Sequence, residues 1–350
     1  MDSLEDSLVA SFDQLDIDQF DLETLVDMVT GNKFKNIICM VGAGMSTAAG
    51  IPDFRSSKGL YQQELNVPYP EAIFELDYFV KNPKPFFKLA TQLYGTYLPT
   101  RTHYFLKLLQ VKGILKRIYT QNIDALERLA GINEELLVEC HGTFATSTCI
   151  KCTKTYDTYK SVVPVIERDE IPYCSCGGVI KPDIVFFGEN LPSRFFELRK
   201  VDFMRCDLLI IIGTSLVVQP FASLAKLAKC PRVLVNMESV GEDIGIGNSK
   251  RDYKHLSKCD VFVDEFIKLM KWDQDFMDIL AHRDTIILSN TLKDEDNENN
   301  EEIKVTTERK LSIPSDVSCI FTASEITEIA YIDSQETSLS KEVKEDEEYK

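Results

Sequence analysis

At 350 residues, with 44% hydrophobic and 27% charged side chains, the chain is about twice a typical ~150-residue domain and can bury a sizeable core. No apolar run approaches the ~20 residues that cross a bilayer, which argues against a membrane protein. The net charge of −17 is concentrated at the ends: residues 1–30 carry about −9 with no Lys or Arg, and residues 291–350 about −10. The middle is nearly neutral and lacks the clustered basic residues that direct nucleic-acid binding needs.

Met1 to Thr30 has no basic start, apolar block or small-residue cleavage site, so the chain is expected to stay inside the cell. Leu15, Ile17, Phe20, Leu22 and Leu25 suit either an amphipathic solvated arm, the plainer reading, or a leucine-rich export signal. From about Asn36 to Glu265 strands and helices alternate. Apolar strand-like runs fall at Ile37 to Val41, Ile114 to Thr120, Leu136 to His141, Ile180 to Phe187, Leu208 to Gly213, Arg232 to Asn236 and Asp260 to Val263. Runs apolar on both faces suit a parallel sheet covered by helices, so the fold class is α/β, a doubly wound Rossmann-like sheet.

The first strand runs into Gly42-Ala43-Gly44-Met45-Ser46-Thr47, where small residues at a strand-to-helix turn let backbone amides approach a pyrophosphate. A tight turn without a ligand is the alternative. A hydride-transferring enzyme would place an acid at the end of a second strand about 20 residues on. That stretch is instead the loop-like Asp53-Phe54-Arg55-Ser56-Ser57-Lys58-Gly59-Leu60-Tyr61, which weakens the dehydrogenase reading.

Tyr61 to Leu109, aromatic-rich and punctuated by prolines, reads as a helical insertion. Gln121-Asn122-Ile123-Asp124 follows a strand and can present an amide and a carboxylate into a crevice; His141-Gly142 follows the next. A lone His is commonly structural, but one at a strand's C-terminal end is placed to act as a general base. Cys149-Ile150-Lys151-Cys152 and Cys174-Ser175-Cys176 resemble two knuckles giving four thiolates to one structural zinc, with Lys151, Lys154 and Lys181 to offset its charge. Unligated thiols and a redox CxxC pair remain alternatives. Lys181 to Glu189 is either buried core or an edge that accepts an extended peptide. Gly213-Thr214-Ser215 and Asn236-Met237-Glu238 add polar groups at strand ends. Beyond about Ala281 the acidic, weakly apolar sequence reads as a disordered tail.

Taken in order, these pieces resemble the sirtuin family of NAD-dependent protein deacylases, closest to its sirtuin-2 type. The pieces are Gly42 through Arg55, Gln121 to Asp124, His141-Gly142, the paired cysteines, Val185-Phe186-Phe187-Gly188-Glu189, Gly213 to Ser215 and Asn236 to Glu238. The resemblance implies an acidic arm over 1–30, a catalytic core over 31–280 and a tail over 281–350. A small domain would be formed by about 56–109 and 142–180. It departs from the family at Cys174 and Cys176, which have one intervening residue where two are usual.

The resemblance further implies that NAD and an acyl-lysine peptide meet between the two domains. Nicotinamide leaves as the acyl oxygen attacks the ribose, and free lysine and O-acyl-ADP-ribose are released. His141 would be the general base, Asn122 would position the ribose and a water, and Asp124 would hold the carboxamide. Gly42, Ala43, Gly44, Thr47, Asp53, Phe54, Arg55, Gln121 and Ile123 would complete the reacting end. Gly213, Thr214, Ser215, Asn236, Glu238 and Cys259 would hold the adenosine half, and Val185, Phe186, Phe187, Gly188 and Glu189 the peptide. Histone tails and tubulin are the implied partners, and a cytoplasmic protein shuttling to the nucleus the implied location. Mono-ADP-ribosyl transfer and a silent NAD-binding scaffold are the alternative functions. The aromatic insertion suits core packing, or else a pocket for long acyl chains such as myristoyl.

Overall fold

The computed structural model describes residues 20–56, 59–63, 66–94 and 97–281; the acidic tail and the first part of the arm lie outside the described residues. Six strands form one fully parallel sheet: β1 (Ile37–Val41), β2 (Leu115–Thr120), β3 (Leu137–Glu139), β7 (Leu208–Ile212), β8 (Arg232–Asn236) and β9 (Asp252–Leu256). Their spatial order is β3-β2-β1-β7-β8-β9, the Rossmann order, which reverses between β1 and β7. Side-chain alternation divides the core into two layers. Ile37, Cys39, Val41, Ile210 and Ile212 face one cluster, and Ile38, Met40, Leu209 and Ile211 face the other.

The first cluster is covered by α1 (Leu22–Thr30), α4 (Arg101–Val111) and α9 (Cys259–Met270). Asp21 caps α1 by accepting from the Thr24 amide at 2.9 Å, and Leu25, Val26 and Val29 are buried. The arm is therefore not solvated over this stretch. Phe20 and Leu25, two residues of the leucine-rich pattern, are 3% and 0% exposed and serve the core. The second cluster is covered by α8 (Ser193–Met204) and the short 3₁₀ segment Ala222–Lys226.

A smaller antiparallel sheet, β5-β4-β6, is formed by β4 (Gly142–Cys149), β5 (Thr155–Asp157) and β6 (Ile180–Ile184). It packs with α2 (Leu76–Lys81), α3 (Lys84–Leu93) and the short α7 (Val163–Ile166) around a third, aromatic cluster. Phe74, Phe79, Phe86 and Phe186 meet mostly edge to face with centroids 5.1–6.0 Å apart, the favoured ring geometry.

Two assignments from sequence are corrected and one strand is added. Asp260 to Val263 lies in α9, because Phe262, Val263, Phe266 and Ile267 form one helical face and a four-residue apolar run cannot by itself separate helix from strand. Ile180 to Phe187 ends as a strand at Ile184 and belongs to the small sheet. The edge strand β9, Asp-Tyr-Lys-His-Leu, was not anticipated because its polar sequence lacks a buried-strand pattern. Within the 61–109 insertion, α4 packs in the large sheet's cluster and α2 and α3 in the aromatic one.

Candidate active site

The strand order reverses where β1 and β7 end, and the loops leaving them meet there. A Cβ on Gly44 would stand 2.8 Å from Gly213 Cα, so only glycine lets the two backbones approach this closely. The expected α-helix after this turn is absent. Two 3₁₀ turns, Ala43–Met45 and Thr47–Ala49, follow instead. The amides of Gly42 and Gly44 donate to Ile212 and Gly213 carbonyls at 3.0 and 2.8 Å. These amides join the two loops and are not offered to a phosphate. Thr47, which bonds Gly44 O at 2.9 Å, and Arg55 are exposed.

Asp53 accepts the Arg55 and Ser56 amides at 2.8 and 2.7 Å, an Asx-turn that shapes the loop. Phe54 leans from this loop onto Tyr61 and Phe74, with centroids 5.8 and 5.7 Å away.

After β2, Gln121 accepts from the Thr214 hydroxyl at 2.6 Å, joining the strand ends on both sides of β1. Buried Asn122 donates to Gly42 O and Ser46 Oγ, both at 3.3 Å. Ser46 Oγ in turn donates to Asp124 at 2.7 Å, so one hydroxyl holds both polar groups. Sequence reading had passed over Ser46, whose only signal was its place in the glycine turn. Burial raises the Asp124 carboxyl above its usual value, against hydrogen bonds from the Leu126 amide and Ser46.

His141 lies between β3 and β4. Its Nδ1 is 3.2 Å from Gln121 O, so Nδ1 carries the proton and Nε2 is left bare. Burial lowers its pKa below the usual imidazole value, against the Gln121 carbonyl that raises it. The ring is therefore neutral at physiological pH.

The His141 carbonyl accepts the Val185 amide at 2.8 Å, which ties the base to the 185–189 segment. Phe187 donates to Phe74 O and accepts from Leu76 N, at 2.8 and 3.2 Å, so its backbone is already paired within the protein. Phe186 is buried; Phe187 and Gly188 are exposed. Glu189 accepts the Phe186 amide at 2.7 Å and pairs with Lys181 at 2.9 Å. Lys181 thus neutralises Glu189, which corrects its assignment to the cysteine cluster.

On the far strands, Thr214 is buried and Ser215 exposed, Asn236 donates to Glu238 O at 2.9 Å, and Cys259 begins α9 beyond β9. The sulfurs of Cys149, Cys152, Cys174 and Cys176 lie within 4.8 Å of one another, with 149–176 and 152–174 each 3.5 Å apart. A disulfide would need ~2.05 Å, whereas a tetrahedral zinc with ~2.3 Å bonds spaces its sulfurs by roughly 3.8 Å. The Cys176 amide and the Tyr156 hydroxyl lower the Cys174 thiol, favouring the thiolate a metal needs. These residues fit a structural zinc, and the one-residue knuckle reaches the cluster.

A Rossmann-ordered sheet with polar loops converging at its switch point, joined to a four-cysteine module, defines a dinucleotide-binding α/β protein with a zinc module. Residues 42–220 match the family model "Sir2 family". The chain is 49% identical to the zebrafish (Danio rerio) "NAD-dependent protein deacetylase sirtuin-2", over 81% of this chain and 80% of that protein. It is 51% identical to the Dictyostelium discoideum "NAD-dependent deacetylase sir2A", over 75% of this chain and 54% of that one. With the Schizosaccharomyces pombe "NAD-dependent protein deacetylase hst2" it shares 48%, over 73% and 77% of the two chains. The chain belongs to the Sir2 family.

Proposed function

We propose that this chain is an NAD-dependent protein lysine deacetylase in which His141 is the general base. Its family membership carries the activity class, and the observation that carries the base is the Nδ1 bond to Gln121, which leaves a neutral Nε2 beside the switch-point crevice. NAD supplies the leaving nicotinamide and the ADP-ribose that takes up the acyl group. His141 accepts a ribose hydroxyl proton at Nε2. Asn122, fixed by Gly42 O and Ser46, positions the ribose, and Asp124 orients the carboxamide. Phe54, held by its aromatic neighbours, shields the reacting face from water. Thr214, Ser215, Asn236, Glu238 and the Cys259 backbone hold the adenosine half. The acyl-lysine peptide pairs with backbone around Gly188 and the Glu189 carbonyl, since Phe187 is committed to Phe74 and Leu76 and the Glu189 amide to Phe186 O.

Histone tails and tubulin are the proposed partner proteins, met in the cytoplasm with passage to the nucleus; pull-down of acetylated forms and imaging test both. The close-packed rings of the insertion support core packing over a long-chain pocket. Comparing kcat/KM for acetyl and myristoyl peptides decides between them.

The test is a mass-spectrometric time course on an acetyl-lysine peptide, with and without NAD, for wild type and His141→Ala. Equal amounts of deacetylated peptide, nicotinamide and O-acetyl-ADP-ribose, formed only with NAD and lost in the variant, support the reading. ADP-ribose attached to protein would mark a transferase, and untouched NAD a scaffold.

A further inference from the structure

Two buried titratable side chains and the half-buried Asp124 meet behind the candidate site, and the mechanism above uses only Asp124. Glu127, on the short helix α5 (Leu126–Leu129), is 1% exposed, and His103 on α4 is 0% exposed. One ligand-type atom from each of these two and from Asp124 lie within 4.8 Å of one another. Glu127 Oε1 and His103 Nε2 are both buried without a hydrogen-bond partner, which a native interior seldom tolerates without a reason. His103 Nδ1 accepts the Thr100 amide at 3.1 Å, so its proton sits on Nε2. Burial lowers its pKa to about 3, and it brings no positive charge.

The other groups facing Glu127 are Asp124 from the loop before α5, Glu139 from β3 and the Cys140 thiol. Arg128 is paired with Glu139 at 2.8 Å. A buried and a half-buried carboxyl at this separation, with no cation between them among the described residues, disfavour ionising together, and one of the two holds its proton more tightly. Asp124 accepts from Ser46 and the Leu126 amide, at 2.7 and 3.0 Å, which favours its charged form. Glu127 has the Thr120 hydroxyl on its side, with burial and Asp124 against it. The same Thr120 hydroxyl accepts the Asn122 amide at 3.0 Å. The Thr120 hydroxyl thus lies between Glu127 and the Asn122 backbone amide, and Glu127 and Asp124 stand within 4.8 Å of one another.

We propose that Glu127 retains a proton and acts as a positioning residue for Asn122 and Asp124, so that only Asp124 of the pair is charged at the NAD site. The proposal rests on the Sir2 reading of those two residues. Glu127 is pushed up to about 8 by burial first and Asp124 second. Above that pH a second negative charge enters the pocket, repels Asp124 and loads the Thr120 bond that holds Asn122.

The experiment uses the full-length, zinc-loaded protein and Glu127→Gln, which is permanently neutral and close to isosteric. At pH 7 the variant should keep kcat/KM within about threefold of wild type; from pH 7 to 9.5 wild type should fall about fivefold or more while the variant falls less than about twofold. An identical alkaline limb in both proteins overturns the proposal, as does a folded variant more than about tenfold slower at pH 7.

A second readout needs no turnover. A carboxyl raised in the folded state binds more protons there than in the unfolded chain, so its contribution to stability falls as pH rises from about 4.5 towards 8. The melting temperature of Glu127→Gln should therefore gain on wild type across that window, and a constant difference overturns the proposal. Widening melting curves in a protein that leaves NAD untouched would sink the enzymatic reading and keep the protonated Glu127. Finding a second metal per chain that Glu127→Gln loses would instead assign the three side chains to a cation.

Discussion

His141 shows how one backbone bond prepares a base. Because Nδ1–H donates to Gln121 O and leaves Nε2 bare, truncation to alanine removes both the proton acceptor and a link between the β2 and β3 ends. His141→Ala should lower kcat/KM by about 10²–10⁴-fold, with NAD affinity, measured by calorimetry, much less affected. Since burial lowers its pKa, the acid limb of kcat/KM should fall below the usual ~6.5 of imidazole. The same sign governs folding: the unfolded chain protonates His141 first, so its contribution to stability is lost as pH drops through and below ~6.5. Ser46, bonded to both Asn122 and Asp124, is the second sensitive position. A buried hydrogen bond to a charged group contributes ~1.5–3 kcal/mol, so Ser46→Ala should lower kcat/KM about 10–100-fold in the peptide assay and the melting temperature by a few degrees.

Two elements act as units. The cysteine module joins the end of β4 to the 174–176 turn, and a zinc held by its four sulfurs would tie the two together. Cys152→Ser should reduce bound zinc from one per chain to a fraction, by elemental analysis, and lower the melting temperature. A strong chelator should do the same to wild type, whereas an undiminished melting temperature in metal-free protein would count against a structural role.

The 185–189 segment depends on a different device. Lys181 Nζ, 8% exposed in its side chain, bonds Glu189 and the Ile184 carbonyl at 2.9 and 2.7 Å. Glu189 is 29% exposed, so losing its partner costs less than the ~3–5 kcal/mol of a fully buried pair but frees the segment it holds. Lys181→Met should therefore raise the peptide KM by about tenfold or more through a loosened edge, with the NAD KM nearly constant.

At the scale of the whole molecule, α1 closes the first core layer. Compared with deletion of residues 1–19, the longer deletion of 1–30 also strips Leu25, Val26 and Val29 from the cluster that holds Phe262 and Phe266. Buried leucine alone is worth ~2–5 kcal/mol, so the longer deletion should lower the melting temperature by many degrees and promote aggregation.

Much of this organisation is legible in the chain itself. Five-residue apolar runs such as Leu208–Ile212, each followed by a glycine turn, read as central parallel strands and are buried at every position, and glycines at the ends of β1 and β7 mark where two backbones touch. Cysteine spacing announces the metal module, because thiolate pairs close in sequence form a knuckle wherever the chain folds. The strand at Asp252–Leu256 and the helix at Cys259–Met270 were not legible, since an edge strand needs no apolar alternation and a short apolar run fits either period. Only tertiary structure decided that Lys181 serves Glu189, that Ser46 joins Asn122 to Asp124, and that Glu127 and His103 lie behind them. Lys181 and Glu189 lie 8 residues apart and Ser46 and Asp124 78, and it is burial, a property of the assembled core, that fixes which of their charges survive.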